Sequence, residues 1–227
     1  MKVAVIRFPG SNCDQDAYHS LREDVGVDAA YVWHEERSLA GFDAVFLPGG
    51  FTYGDYLRCG AMAARAPIMD EVRRMADSGY PILGACNGFQ VLCEAGILPG
   101  ALLLNAEQKF VCRMVTLKAE NRKTFWTQGV DRLIRLPVAH GEGRFTCDDE
   151  TLKRLNGEGR VAFRYVPYEE RDTSYNVNGS LDDIAGITNE MGNVLGMMPH
   201  PERATRKILG SDDGLTVLKA LTLVGAR

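Results

Sequence analysis

Cys86 lies in the run Ile82-Leu83-Gly84-Ala85-Cys86-Asn87-Gly88-Phe89-Gln90, with a glycine two residues to either side. This is the G-x-nucleophile-x-G spacing of a nucleophile elbow, with a thiol in place of a serine hydroxyl. Such a turn joins a strand to a helix so tightly that the backbone leaves no room for side chains at 84 and 88, while the nucleophile points outward. The chemistry it suits is attack on a carbonyl carbon. Unpaired N–H groups at the head of the following helix favour negative charge on the sulfur, and the Asn87 N–H can donate to a developing oxyanion. A packed thiol beside a Gly-rich turn would show the same letters, so the partners must decide. Cys93, seven residues further along the same helix, reads as packing.

A thiol nucleophile needs a base, and the base needs an orienting group. The chain has four histidines: His19, His34, His140 and His200. His200 stands in Met198-Pro199-His200-Pro201-Glu202, directly after an apolar run. The prolines keep this segment out of a helix, and residues two apart in extended backbone point the same way, so Glu202 can reach the His200 ring. A surface ion pair is the competing reading of these two residues. His140, in Ala139-His140-Gly141-Glu142-Gly143-Arg144, is the rival base, but no proline-fixed strand aims a partner at it. His19 reads as helix surface and His34 as the surface of a strand-to-loop junction. Acyl chemistry also asks for a second oxyanion donor, and Leu47-Pro48-Gly49-Gly50-Phe51 offers one where a Gly-Gly turn ends a strand.

The elements that position these residues alternate in the first half of the chain. Val3–Phe8, Ala29–Trp33, Ala44–Leu47 and Pro81–Gly84 read as buried strands. Helices are expected from about Asn12 to Glu23, after Pro67 with Ile68, Val72 and Met75 on one face, and over Asn87–Glu94 with Gly96 as its stop. This alternation predicts a three-layer α/β sandwich around a mostly parallel sheet. Beyond Val111 the strands come at shorter spacing: Cys112–Leu117, Leu133–Val138, Val161–Val166, Ile184–Thr188 and Asn193–Met198. They predict a smaller antiparallel or edge set, followed by a terminal helix from about Asp213. No linker divides the 227 residues, so a single domain over 1–227 is expected.

Composition narrows the function classes. The net charge of −4 lacks the basic footprint that phosphate neutralisation requires, which argues against a nucleic-acid partner. The opening MKVAVIRFPG is too short an apolar run for a signal peptide, and no window reaches membrane-span length, so no membrane partner and a cytoplasmic location are expected. The six cysteines form no C-x-x-C pair and read as reduced thiols, with no metal site. Neither G-x-x-x-x-G-K-[ST] nor a helix-opening G-x-G-x-x-G occurs, so no nucleotide or other cofactor is expected in this chain.

With Pro48-Gly49-Gly50, Gly84-Ala85-Cys86-Asn87-Gly88-Phe89-Gln90 and His200-Pro201-Glu202 in this order, the chain resembles the class I, triad-type glutamine amidotransferases. Phe8-Pro9-Gly10-Ser11-Asn12-Cys13-Asp14, Gly50-Phe51-Thr52-Tyr53-Gly54-Asp55-Tyr56-Leu57-Arg58 and the segment around His140 are similar to one branch of that family. The resemblance implies a flavodoxin-like fold in which Cys86 attacks the side-chain amide of L-glutamine, His200 carries protons and Glu202 orients His200. It implies oxyanion donors at Gly50, Gly49 and Asn87, a glutamine contact from Gln90, and a contact to the substrate's amino-acid end around Gly141 and Gly143. It also implies a large ATP-dependent synthase subunit that accepts the ammonia and carries ATP and Mg, with a small accessory subunit. Tyr53, Tyr56, Arg58 and Arg144 are expected on the docking surface, as aromatic and Arg anchors in Gly-rich loops. Val177 departs from the family pattern, where a proline is expected. The glutaminase of a different amidotransferase and a catalytically silent regulatory subunit of the same fold are the open alternatives.

Overall fold

A computed structural model describes residues 1–121, 124–169 and 173–226 of the chain. Its strands are β1 (Lys2–Arg7), β2 (Asp28–Trp33), β3 (Ala44–Leu47), β4 (Ile82–Ala85), β5 (Ala101–Leu103), β6 (Val111–Ala119), β7 (Ile134–His140), β8 (Arg144–Thr146), β9 (Val161–Val166), β10 (Ile184–Thr188) and β11 (Val194–Met197). Nine of them form one sheet in the order β2-β1-β3-β4-β11-β10-β9-β6-β7, and β5 pairs with β8 separately. The strands from β2 to β11 run parallel. The remaining ladders, from β11 through β10, β9 and β6 to β7, are antiparallel. Pro137 lies inside β7, the edge strand, where a missing N–H costs no ladder bond.

The inner parallel strands β1, β3, β4 and β11 are buried on both faces, whereas the edge strand β2 exposes one. In β1, Ala4 and Ile6 join one core and Val3 and Val5 the other, as the two-residue period of a strand requires. The first core takes Ile68, Val72 and Met75 of α2 (Ile68–Asp77), Phe89 and Leu92 of α3 (Asn87–Glu94) and Leu155 of α4 (Asp149–Gly157). The second takes Ala17 of α1 (Asp14–His19), Leu21, and Val217 and Leu218 of α5 (Gly214–Leu218). Each fully buried Leu, Val or Phe is worth roughly 1.5–3 kcal/mol, so the two cores hold the sheet between its helices without any disulfide; the cysteines are free.

The helix expected from Asn12 to Glu23 is two segments: α1, then π-type turns over Ser20–Val25 that close on Gly26 at φ 81°. The strand expected to end at Val138 extends to His140, which places that ring at a strand end. Helix α4 and the β5–β8 pair have no counterpart in the sequence reading. Asp148 caps α4 by accepting from the Thr151 N–H at 2.7 Å.

Candidate active site

Four neighbouring parallel strands set the site. β1, β3, β4 and β11 are consecutive in the sheet, so the loops at their C-terminal ends converge on one edge. These loops carry Cys13, Gly49-Gly50, Cys86 and His200 respectively. The antiparallel arm returns to the same place: the His200 N–H donates to Pro137 O at 2.9 Å, and Cys86 Sγ lies 3.7 Å from Ala139 O.

Cys86 ends β4 and opens α3 with φ 50° and ψ −106°, a conformation that costs a non-glycine residue roughly 1–3 kcal/mol and is held only where the surroundings over-determine it. The surroundings do so here. Cys86 N donates to Met197 O at 2.8 Å, and Cys86 O accepts from Phe89 N at 3.0 Å and Gln90 N at 3.2 Å. A Cβ on Gly84 would stand 2.7 Å from the Gly88 carbonyl, and one on Gly88 would overlap Leu47 O. Both glycines of the elbow are therefore required by backbone approach.

His200 and Glu202 are almost fully buried, at 1% and 2% exposure, and Nδ1 lies 2.7 Å from Glu202 Oε1. That rules out the surface ion pair. Burial is the largest influence and disfavours a charged imidazole, but the Glu202 carboxylate, Cys86 and Cys13 together outweigh it, and the ring's pKa is raised well above its ordinary value. With Nδ1 turned to Glu202, Nε2 has no hydrogen-bond partner among the described residues. Gly49 leaves room for this ring: its Cβ would stand 2.5 Å from His200 Cε1.

His140 is also buried, but its Nδ1 lies 3.1 Å from Asn105 Oδ1, and Asn105 Nδ2 donates to His140 O at 2.9 Å. The amide nitrogen is occupied there, so its oxygen accepts from Nδ1–H. Burial, reinforced by nearby His200, depresses the pKa of His140 to about 4, and the ring stays neutral. His19 is exposed beside Glu23, and His34 is buried against Tyr53 at 3.0 Å. Neither reaches the site, and His34 corrects the surface reading of that residue.

The expected oxyanion donors flank the sulfur's loop. The Asn87 N–H is in the first turn of α3, where a helix has no intrahelical acceptor. Gly50 sits opposite Ser11 in an isolated bridge whose bonds, Asn12 N to Gly49 O and Phe51 N to Gly10 O, leave the Gly50 N–H outside the pairing. A Cβ on Gly50 would press to 2.7 Å from Gly10 O. Gln90 is a strut: its Nε2 donates to Glu142 O at 2.6 Å and its Oε1 accepts from Asn87 Nδ2 at 2.8 Å.

Several positioning residues escaped the sequence reading. Asn105 Oδ1 also accepts from Gly143 N at 3.0 Å, and Asn178 Nδ2 donates to Gly143 O at 2.8 Å, so two buried amides clamp the 141–143 turn from either side. Cys13 is buried beside His200 as well. Of the residues expected on a docking surface, Arg58 donates from Nε to Glu94 at 2.9 Å and Arg144 to Leu104 O at 3.0 Å, while Tyr56 is 89% exposed.

Comparison with known proteins agrees with this geometry. Residues 1–213 match the CobB/CobQ-like glutamine amidotransferase domain. The phosphoribosylformylglycinamidine synthase subunit PurQ of two Thermus thermophilus strains is 56% identical over 229 residues, covering 100% of both chains. A chain in the structure of PurLQS from Thermotoga maritima superposes with a TM-score of 0.86 at 43% identity, covering 98% of this chain and 97% of that one. A glutamine amidotransferase from Thermotoga maritima, at 15% identity and TM-score 0.62, covers 100% of this chain and 99% of its own and shares the fold. The chain belongs to the CobB/CobQ-like glutamine amidotransferase domain family and, within it, to the PurQ subunits of phosphoribosylformylglycinamidine synthase.

Proposed function

We propose that the chain, as one glutaminase domain, hydrolyses L-glutamine to glutamate and ammonia with Cys86 as nucleophile, His200 as proton carrier and Glu202 as its orienter. The observation that carries this reading is the buried Glu202–His200 contact at 2.7 Å, which leaves Nε2 as the working nitrogen beside a thiol held on a strained elbow. Cys86 passes its thiol proton to His200 Nε2 as Sγ bonds to the amide carbon, the carbonyl π pair moves onto oxygen, and the N–H groups of Gly50 and Asn87 receive the oxyanion. As the tetrahedral adduct collapses, His200 Nε2 gives its proton to the departing nitrogen; ammonia leaves and a thioester remains. Water then attacks the thioester carbon while Nε2 takes its proton; the second adduct collapses with cleavage of the C–S bond, Nε2 returns the proton to the sulfur, and glutamate leaves. Glu202 keeps Nδ1 protonated throughout and stabilises the imidazolium. Gly49 gives the ring its space, and Gln90 fixes the turn at Glu142, beside which the substrate's amino-acid end would lie.

Free ammonia in water is protonated and lost as a nucleophile, so the product must pass to a docked acceptor. Family membership and the PurLQS neighbour support a large synthase subunit that uses ATP and Mg to convert formylglycinamide ribonucleotide to formylglycinamidine ribonucleotide in purine biosynthesis. A small accessory subunit completes the assembly. No described helix is long and apolar enough to cross a membrane, and the proposed work is cytoplasmic.

The test is glutamate release by the chain mixed with its synthase, ATP and the ribonucleotide. Cys86→Ser is expected to lower the glutamine-dependent rate by at least about 10³-fold, while ammonia supplied directly still supports the synthase. Retained glutamine-dependent activity in Cys86→Ser contradicts the proposal.

A further inference from the structure

Cys13 enters none of these steps, yet the loop after β1 buries its thiol at the same edge of the sheet, with 4% exposure. Its sulfur, one ring nitrogen of His200 and one carboxylate oxygen of Glu202 all lie within 4.8 Å of one another, and this is the only such group among the described residues. The backbone holds the sulfur there. Cys13 N and Asn12 N both donate to Gly49 O, at 3.1 and 3.4 Å, and Cys13 O accepts from Ala17 N at 3.0 Å as α1 begins. A Cβ on Gly49 would stand 3.2 Å from Cys13 Sγ, 2.5 Å from His200 Cε1 and 3.1 Å from His200 Nδ1. Gly49 is therefore a floor that the sulfur and the ring share, and neither has room to slide across it.

Glu202 fixes one ring nitrogen, but a single hydrogen bond leaves the imidazole free to tilt about the Nδ1–Oε1 contact. Nε2, which has no hydrogen-bond partner among the described residues, would swing with that tilt. A misplacement of about 1 Å can cost about 10²-fold in rate, so a second contact on the ring matters. Cys13 is chemically suited to supply it. Its S–H donates to Asn12 Oδ1 at 3.6 Å, which leaves the sulfur lone pairs for the imidazole. Burial, the largest influence, raises the pKa of the Cys13 thiol despite the neighbouring His200, so the sulfur stays protonated where a thiolate would compete with Cys86 for the substrate.

We propose that Cys13 is a positioning residue for His200: its sulfur, fixed by the loop after β1 and by Gly49, stops the imidazole from tilting about its Glu202 contact and so keeps Nε2 aimed at the reacting atoms. It bonds to no substrate atom and exchanges no proton. The role rests on the glutaminase reading; the contact between sulfur and ring does not.

The test compares Cys13→Ala and Cys13→Ser with wild type in the complete complex with its synthase. In Cys13→Ala, kcat for glutamine hydrolysis is expected to fall by about tenfold or more with KM within about twofold, while the ammonia-dependent rate of the synthase is unchanged. In NMR titrations of the full-length chain, the His200 ring, assigned by its loss in His200→Ala, is expected to titrate at lower pH than in wild type while the other three histidines stay where they were. Cys13→Ser restores a small hydrogen-bond acceptor and is expected to recover kcat to well above the Ala variant. Unchanged kcat and His200 titration in Cys13→Ala, or a Ser variant no better than Ala, overturns the role. An equal fall in the ammonia-dependent rate, or a shift shared by all four histidines, overturns it too, because either marks a general loss of structure. A wild-type complex that releases no glutamate, with the His200 titration still displaced by Cys13→Ala, sinks the glutaminase reading and leaves the sulfur–ring contact standing.

Discussion

The turn after β11 and the end of β7 each bury a histidine at the same edge of the sheet, and the pKa values of the two rings are pushed in opposite directions. His200 meets a carboxylate at Nδ1, which with Cys86 and Cys13 overcomes the cost of burial; His140 meets a neutral amide, and burial prevails. Depth is nearly identical, at 1% and 2% exposure, so it cannot be what separates the proposed proton carrier from the ring held by Asn105. What separates them is whether the partner carries charge.

The largest expected effect breaks the pair outright. His200→Ala should lower glutamine hydrolysis by about 10³–10⁴-fold, whereas His140→Asn, whose amide keeps a donor near the Nδ1 position, should cost no more than about tenfold. Equal losses in steady-state assays would mean that both rings work on the proton. Next, Glu202→Gln converts the His200 environment into that of His140. It should reduce kcat by about 10²-fold or more with KM little changed, and in NMR titrations the His200 ring should lose its preference for the charged form. The reverse exchange, Asn105→Asp, should raise the His140 pKa from about 4 by at least about one unit. A His140 titration unmoved by that carboxylate would show that something other than the partner sets its state.

The smallest effect concerns stability. The pKa of His140 is about 4 when folded, against an ordinary value of 6.5, so the native chain binds the proton less readily than the unfolded one. No penalty exists above pH 6.5; it accumulates as pH falls toward 4, reaching on the order of 3 kcal/mol. His200, raised when folded, contributes the opposite slope: its stabilisation is complete below pH 6.5 and is lost as pH rises through its higher folded value. Urea unfolding of His140→Asn should therefore lose less stability between pH 6.5 and 4 than wild type does. An identical slope would contradict the buried neutral ring.

The residues proposed to react stand out in the sequence because their constraints are local. Gly84 and Gly88 are forced by backbone packed within a few residues of Cys86 or against β3, and Pro201 puts Glu202 two residues from His200 in a fixed direction. The parallel strands were legible for a similar reason, since burial on both faces leaves continuous apolar runs such as Ala44–Leu47. What escaped depends on long-range approach. Asn105 meets His140 across 35 residues and Asn178 meets Gly143 across 35, and a single asparagine carries no periodic signal. Helix α4 was passed over because its first turn, Asp149-Glu150-Thr151, is polar and only Thr151 and Leu155 are buried. Cys13 carries no sequence signal that singles it out; its place beside His200 follows from β1 and β11 ending at the same edge, with β3 and β4 between them in the sheet order.

That neighbouring thiol makes the identity of the nucleophile the sharpest question. Cys13 and Cys86 both interact with the His200 ring, but only Cys86 stands at the head of an eight-residue helix with the elbow's strained backbone. Labelling with a glutamine-mimicking electrophile, followed by peptide mapping, separates the two. The adduct should form on Cys86, be prevented by excess glutamine, and vanish in His200→Ala. An adduct on Cys13 or Cys59 with Cys86 unmodified would contradict the account.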